Sequence, residues 1–157
     1  MKNTVPMVVS EKSFREVFSF AEDNSALAKN LYNAALFRIR QVFTGWGKEK
    51  LTDLQKLVFD ELEQTKAAYE GFTPRRVLSY QALLKILRAT SNPDYFAGLP
   101  MQTVEDTVKE AVKNFRKWLD NLKLYKQDPS RFTGKPRMPK YCRSTRRTFK
   151  VTNQDAV

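Results

Sequence analysis

The chain contains no histidine, one cysteine and five glycines in 157 residues. Without histidine there is no imidazole base, no Ser-His-Asp or Cys-His pair and no histidine-ligated metal. The lone Cys142 can form neither an intrachain disulfide nor a cysteine-rich zinc site. No run of about 18 apolar residues occurs, so no segment reads as a membrane span. The opening MKNTVPMVVS lacks the apolar core and small-residue cleavage site of a secretory signal, and the expected compartment is the cytosol. Neither GxGxxG nor GxxxxGK[ST] is present. The acidic pairs Glu61 with Glu63 and Asp106 with Glu110 fall on predicted helix surfaces and read as ordinary solvated charges. No acid cluster stands out for two-metal phosphoryl transfer. Catalysis by this chain alone has no residue constellation behind it, and no cofactor is expected.

What the sequence has in excess is positive charge. It holds 28 Lys and Arg against 17 Asp and Glu, a net of +11. The excess is segregated. Residues 1–110 carry 15 basic and 14 acidic side chains, whereas residues 111–157 carry 13 and 3. A field concentrated in the last third points to a polyanionic partner, nucleic acid first. An anionic membrane surface is a weaker fit, because RFTGKPRMPKYCRSTRRTFK shows no amphipathic helix that could insert. Hydrophobic residues make up 41% of the chain, enough for one domain of this length to bury a core.

Apolar spacing predicts helices. Leu27, Leu31, Ala35, Ile39 and Val42 share a face of a helix over 24–44, capped by Asn24 or Ser25, with Lys29, Asn33 and Arg40 opposite. Residues 11–22 read as a helical turn or short helix. A second helix runs over 52–69 with Leu54, Leu57, Val58, Leu62 and Thr65 inward. A third covers 78–89, and its Leu83, Leu84, Ile86 and Leu87 predict near-complete burial. The longest spans 101–126 on Val104, Val108, Ala111, Phe115, Leu119 and Leu122. Its opposed side gathers Lys109, Lys113, Arg116, Lys117 and Lys123. Like charges at i,i+4 there cost a few tenths of a kcal/mol per pair, offset in part by Glu105 and Asp120, and the adjacent basic tail favours a phosphate-tracking ridge over an inert solvated face. Two β-like stretches bracket the helices: 3–10, with Pro6 demoting it to an edge, and 148–152 around Phe149 and Val151.

Four short stretches, in order, carry a resemblance: Asn30-Leu31-Tyr32-Asn33-Ala34-Ala35-Leu36, Leu99-Pro100-Met101-Gln102, Gly134-Lys135-Pro136-Arg137-Met138-Pro139-Lys140-Tyr141 and Val151-Thr152-Asn153-Gln154. With the helix ending AVKNFRKWLDNLKLYKQDPSRF between the second and third, they resemble the N-terminal half of the TnpB (OrfB-type) insertion-sequence proteins, relatives of type V CRISPR effectors. The resemblance implies an RNA-guided DNA endonuclease. In such a protein this part holds a structured guide RNA and a double-stranded DNA target, while a RuvC-type nuclease and a zinc ribbon follow C-terminally. Neither the three acids nor the zinc cysteines occur in these 157 residues, so the implied role here is binding without cutting, with the C-terminal nuclease portion as a possible partner. The implied fold is α+β and mostly helical. A first wedge strand at 1–10 and a basic linker with a returning strand at 131–157 form a partial wedge-type barrel, into which a helical recognition bundle, 11–130, is inserted.

By position, the resemblance puts contacts to a target-adjacent motif on Tyr80, Gln102, Thr152 and Asn153. Gln and Asn can read adenine edges, and a Thr methyl can meet thymine; a core role for Tyr80 and a local turn at Thr152 and Asn153 stay open as alternatives. Arg137, Lys140, Arg143, Arg146, Arg147 and Lys150 join the ridge as backbone-binding cations. Six such contacts imply a slope of log K against log[salt] of roughly −4 to −5. A nuclease-less DNA-binding regulator and a basic helical protein-interaction module are the competing readings.

Overall fold

The computed structural model describes residues 11–144 and 147–149, with Glu11 in its backbone alone. Its regular structure is helical: α1 Glu11–Gly45, α2 Asp53–Ala68, α3 Tyr80–Ala89 and α4 Met101–Gln127, followed by a 3-10 turn at Pro129–Arg131. α1 packs against α2 and α4, and α3 packs against the same two, so the four helices close a ring. The apolar stripes meet at its centre. Leu31, Ile39, Val58, Leu83, Leu87, Val108 and Phe115 are among the fully buried side chains. Phe115 also sets its ring edge-on to Phe43 and Trp118, at centroid distances of 5.2 Å each.

The connections are built by side chains that satisfy helix ends. Thr52 caps α2, its hydroxyl accepting from the Gln55 N–H at 3.2 Å while the Gln55 side chain accepts from the Thr52 N–H at 3.0 Å. Gln55 then donates to the Thr44 hydroxyl at 3.1 Å, tying this cap to the end of α1. Ser79 caps α3 by its hydroxyl alone, which accepts from the Ala82 N–H at 3.2 Å. The end of α3 turns through Ser91 at φ 50°, with the Asn92 N–H reaching the Leu87 carbonyl at 2.9 Å and the Ser91 N–H reaching that of Arg88 at 3.1 Å. This paired pattern usually employs glycine. Arg38 and Glu61 join α1 to α2 by two parallel bonds of 2.8 Å, with both side chains largely buried.

Several expectations are corrected. The fold is not α+β: among the described residues there is no strand and no sheet, so no wedge-type barrel. The first expected strand, 3–10, lies outside the described residues, as do 150–152 of the second; Thr148 and Phe149 are non-strand. The physical reason lies in the hydrogen bonds of the extended C-terminal stretch, which are satisfied by side chains of α1 and α4 rather than by a neighbouring strand. α1 begins at Glu11, not at Asn24. Asn24 is interior to it and donates to the Phe20 carbonyl at 2.8 Å. On α2, Leu54 and Leu57 are exposed at 56% and 50%, because Gln55 and Thr65 take the inward positions beside Val58 and Leu62. Glu61 is no solvated charge, given its bond to Arg38, whereas Glu63 is exposed and pairs with Lys66.

Candidate nucleic-acid interface

α4 presents Lys109, Lys113, Arg116 and Lys117 on one side because these positions recur every three or four residues. All four line a shallow groove of about 620 Å³ between α4 and the start of α3, together with Ser79, Tyr80 and Asp120. The Lys109 ammonium sits 4.8 Å from the centroid of the Tyr80 ring. Tyr80 is half-buried, resting against the core. A base stacking on the Lys109 side of that ring must displace the ammonium. Lys113, Arg116 and Lys117 are exposed. Lys123 is exposed further along α4, outside this groove.

Gln102 lies two turns before Lys109 on the same row of α4. Its side-chain amide donates to the Asp106 carboxylate at 3.3 Å. It does not line the groove with Tyr80. Thr152 and Asn153 lie outside the described residues, and so do Arg146 and Lys150. Of the two expected motif-reading positions among the described residues, Tyr80 lines the basic groove and Gln102 does not.

A second groove, of about 680 Å³, runs on the other side of Lys109 and Lys113. Its far wall is formed by Cys142, Arg147, Thr148 and Phe149 of a strap, described over 136–144 and 147–149, that is laid along α1 antiparallel to it. The Trp118 indole donates to the Pro136 carbonyl at 3.2 Å, and Arg40 donates to the Pro139 carbonyl at 3.4 Å. Asn33 makes two bonds to Cys142, donating to its carbonyl at 2.9 Å and accepting from its N–H at 2.8 Å. The Ser25 hydroxyl lies 2.6 Å from the Arg147 carbonyl and 2.7 Å from its N–H. Met138, Tyr141, Cys142 and Phe149 turn toward the core, and Arg40 covers the Tyr141 ring at 4.7 Å.

The strap cations fall into two classes. Arg137, Lys140 and Arg143 are exposed. Arg147 is held inward: its guanidinium lies 3.5 Å from the Tyr32 ring centroid and bonds Glu110 at 2.8 Å. A phosphate must compete with that carboxylate for it. Arg88 lies away from both grooves, beside the Tyr95 hydroxyl at 2.5 Å, whose hydrogen bond raises its pKa.

The gripping residues Asn33, Arg40, Trp118 and Ser25 were not legible as functional positions. A signal for the strap is nonetheless in the sequence. Prolines at 136 and 139 recur every three residues, as do the cations at 137, 140 and 143. That is the period of a polyproline II helix, not of a strand.

Among the described residues no group of three His, Cys, Asp or Glu side chains could hold a metal ion. No described helix is long and apolar enough to cross a membrane. No family model, curated protein or solved structure matches the chain.

Proposed function

We propose that this chain is a nucleic-acid-binding module, corresponding to the recognition portion of a TnpB-like RNA-guided nuclease, that holds structured guide RNA and its DNA target without cutting. The observation that carries the reading is the placement of its cations. Lys109 and Lys113 border both grooves, with Arg116 and Lys117 on one flank and the strap on the other. The exposed Lys113, Arg116 and Lys117 lie on α4, and the exposed Arg137, Lys140 and Arg143 lie on the strap whose Pro136 is bonded to α4 through Trp118. Cations on rigid backbone suit an A-form duplex, which is recognised through its phosphates, 2′-hydroxyls and shape. Phosphate contacts of this kind fix register and orientation and carry little sequence information.

The test is competition binding. A labelled, structured RNA bound to the chain is challenged with heparin and with unlabelled RNA of the same fold. Displacement by folded RNA at far lower phosphate equivalents than by heparin supports the reading. Equal displacement by both reduces it to a basic surface of no particular ligand. Capture of the chain with its natural RNA identifies the guide: one enriched structured species is expected, and bulk RNA contradicts the guide-binding part.

A further inference from the structure

The strap carries a three-residue repeat that the helices read. Its first positions, Pro136, Pro139 and Cys142, present the carbonyls that Trp118, Arg40 and Asn33 hold. Its second positions, Arg137, Lys140 and Arg143, are all exposed. Its third positions, Met138 and Tyr141, pack inward. Each grip therefore precedes a displayed cation by one residue. At the rise of an extended threefold chain, such cations follow one another at about 9 Å.

Nothing in the strap itself would keep that spacing. It forms neither helix nor strand, and the cost of ordering a free basic segment is met at the moment of binding. The grips come from elements fixed by the core: Asn33 and Arg40 from α1, Trp118 from α4, where it meets Phe43 and Phe115. Asn33 is the strongest of them, because its amide satisfies both backbone groups of Cys142, at 2.9 and 2.8 Å, as a neighbouring strand would.

We infer that Asn33, with Trp118, is a positioning residue for nucleic-acid binding: without touching the ligand, it holds the Arg137, Lys140 and Arg143 ladder at fixed spacing along the backbone of a duplex. This rests on the nucleic-acid reading of the α4 and strap surface. It adds that affinity depends on uncharged residues remote from the phosphates.

The test measures binding of the full chain to a short fluorescein-labelled RNA–DNA heteroduplex of mixed sequence. The variants are Asn33→Ala, Trp118→Phe, Lys140→Gln with Arg143→Gln, and Asn33→Ala added to that charge-neutralised pair. None of the first two changes the net charge. Asn33→Ala is expected to raise Kd about tenfold, with Trp118→Phe moving the same way by less. Trypsin should cut after Lys140 and Arg143 faster in Asn33→Ala. In the Lys140→Gln, Arg143→Gln background, Asn33→Ala should shift Kd by less than about twofold, because the two rungs flanking its grip on Cys142 are gone. A purely structural role would lower affinity equally in both backgrounds, and that result overturns the inference. So does wild-type affinity in Asn33→Ala and Trp118→Phe together. If the wild-type chain itself fails to bind the heteroduplex, the nucleic-acid reading falls and takes the ladder with it. Binding by wild type with indifferent variants removes the ladder alone.

Discussion

Arg38 and Glu61 face each other in fork geometry at 2.8 Å, with side-chain exposures of 8% and 15%. At that burial the partner left behind by a single substitution is an uncompensated charge. Glu61→Ala should therefore cost about 3 kcal/mol in urea-induced unfolding, and replacing both residues by apolar ones should cost less than either single change. Ser91 makes the opposite case. It holds φ 50° at the end of α3, where a side chain is strained and glycine is not. Ser91→Gly should raise stability by roughly 0.5–1 kcal/mol, a rise of a few degrees in the melting temperature. Neither feature was legible in advance. Glu61 reads as surface charge because its partner lies 23 residues away on another helix, and helical periodicity carries no information about which polar residue will meet which.

At the scale of the element, the helices are written plainly in the sequence and their company is not. The apolar rows of α1, α3 and α4 identify the buried faces because a 3.6-residue period leaves few alternatives over several turns. α2 is less clear: Leu54 and Leu57 fit the row, yet the capping box fixes Gln55 inward and turns them out. The first three turns of α1 escape the same reading. Phe14, Val17, Phe18 and Phe20 are exposed there, and the polar Asn24 and Ser25 interrupt the row before Leu27 and Leu31. Only the 148–152 end was read as a strand, on the alternation of Phe149 and Val151; its described residues Thr148 and Phe149 are non-strand, and the backbone just before them, at Cys142 and Arg147, is held by the side chains of Asn33 and Ser25, more than a hundred residues earlier. The α1–α2 junction offers a test of packing. A Cβ on Gly45 would lie 2.9 Å from the Phe59 ring and 3.2 Å from Leu51. Alanine is the better helix former by up to about 1 kcal/mol, but the Phe59 ring, set against Trp46, has little room to withdraw. Gly45→Ala should lower stability by about 1 kcal/mol net, measured by thermal melting.

The whole molecule separates its two tasks. The ring of helices supplies a core, and α4 with the strap displays exposed cations that include Lys113, Arg116, Lys117, Arg137, Lys140 and Arg143. The segregation of charge into residues 111–157 was readable by counting. Its division into displayed cations and the inward Arg147 was not, since Arg147 differs from Arg143 only in having Tyr32 and Glu110 beside it. Arg147→Ala should thus act differently from Arg143→Ala. The first should loosen the strap and lower the melting temperature, leaving the Glu110 carboxylate unpaired. The second should leave the melt unchanged within a degree or so and weaken RNA binding by roughly threefold to tenfold at moderate salt.

In the proposed function, six exposed cations, Lys113, Arg116, Lys117, Arg137, Lys140 and Arg143, engage nucleic-acid phosphates. The salt dependence of RNA affinity tests it most directly, read from log K against log[salt] for wild type and for the Lys113→Gln, Arg116→Gln, Lys117→Gln chain. The wild-type slope is expected at roughly −4 to −5, falling in magnitude by about 2 to 3 in the variant. A wild-type slope near zero, or one that three lost charges leave unchanged, would contradict it.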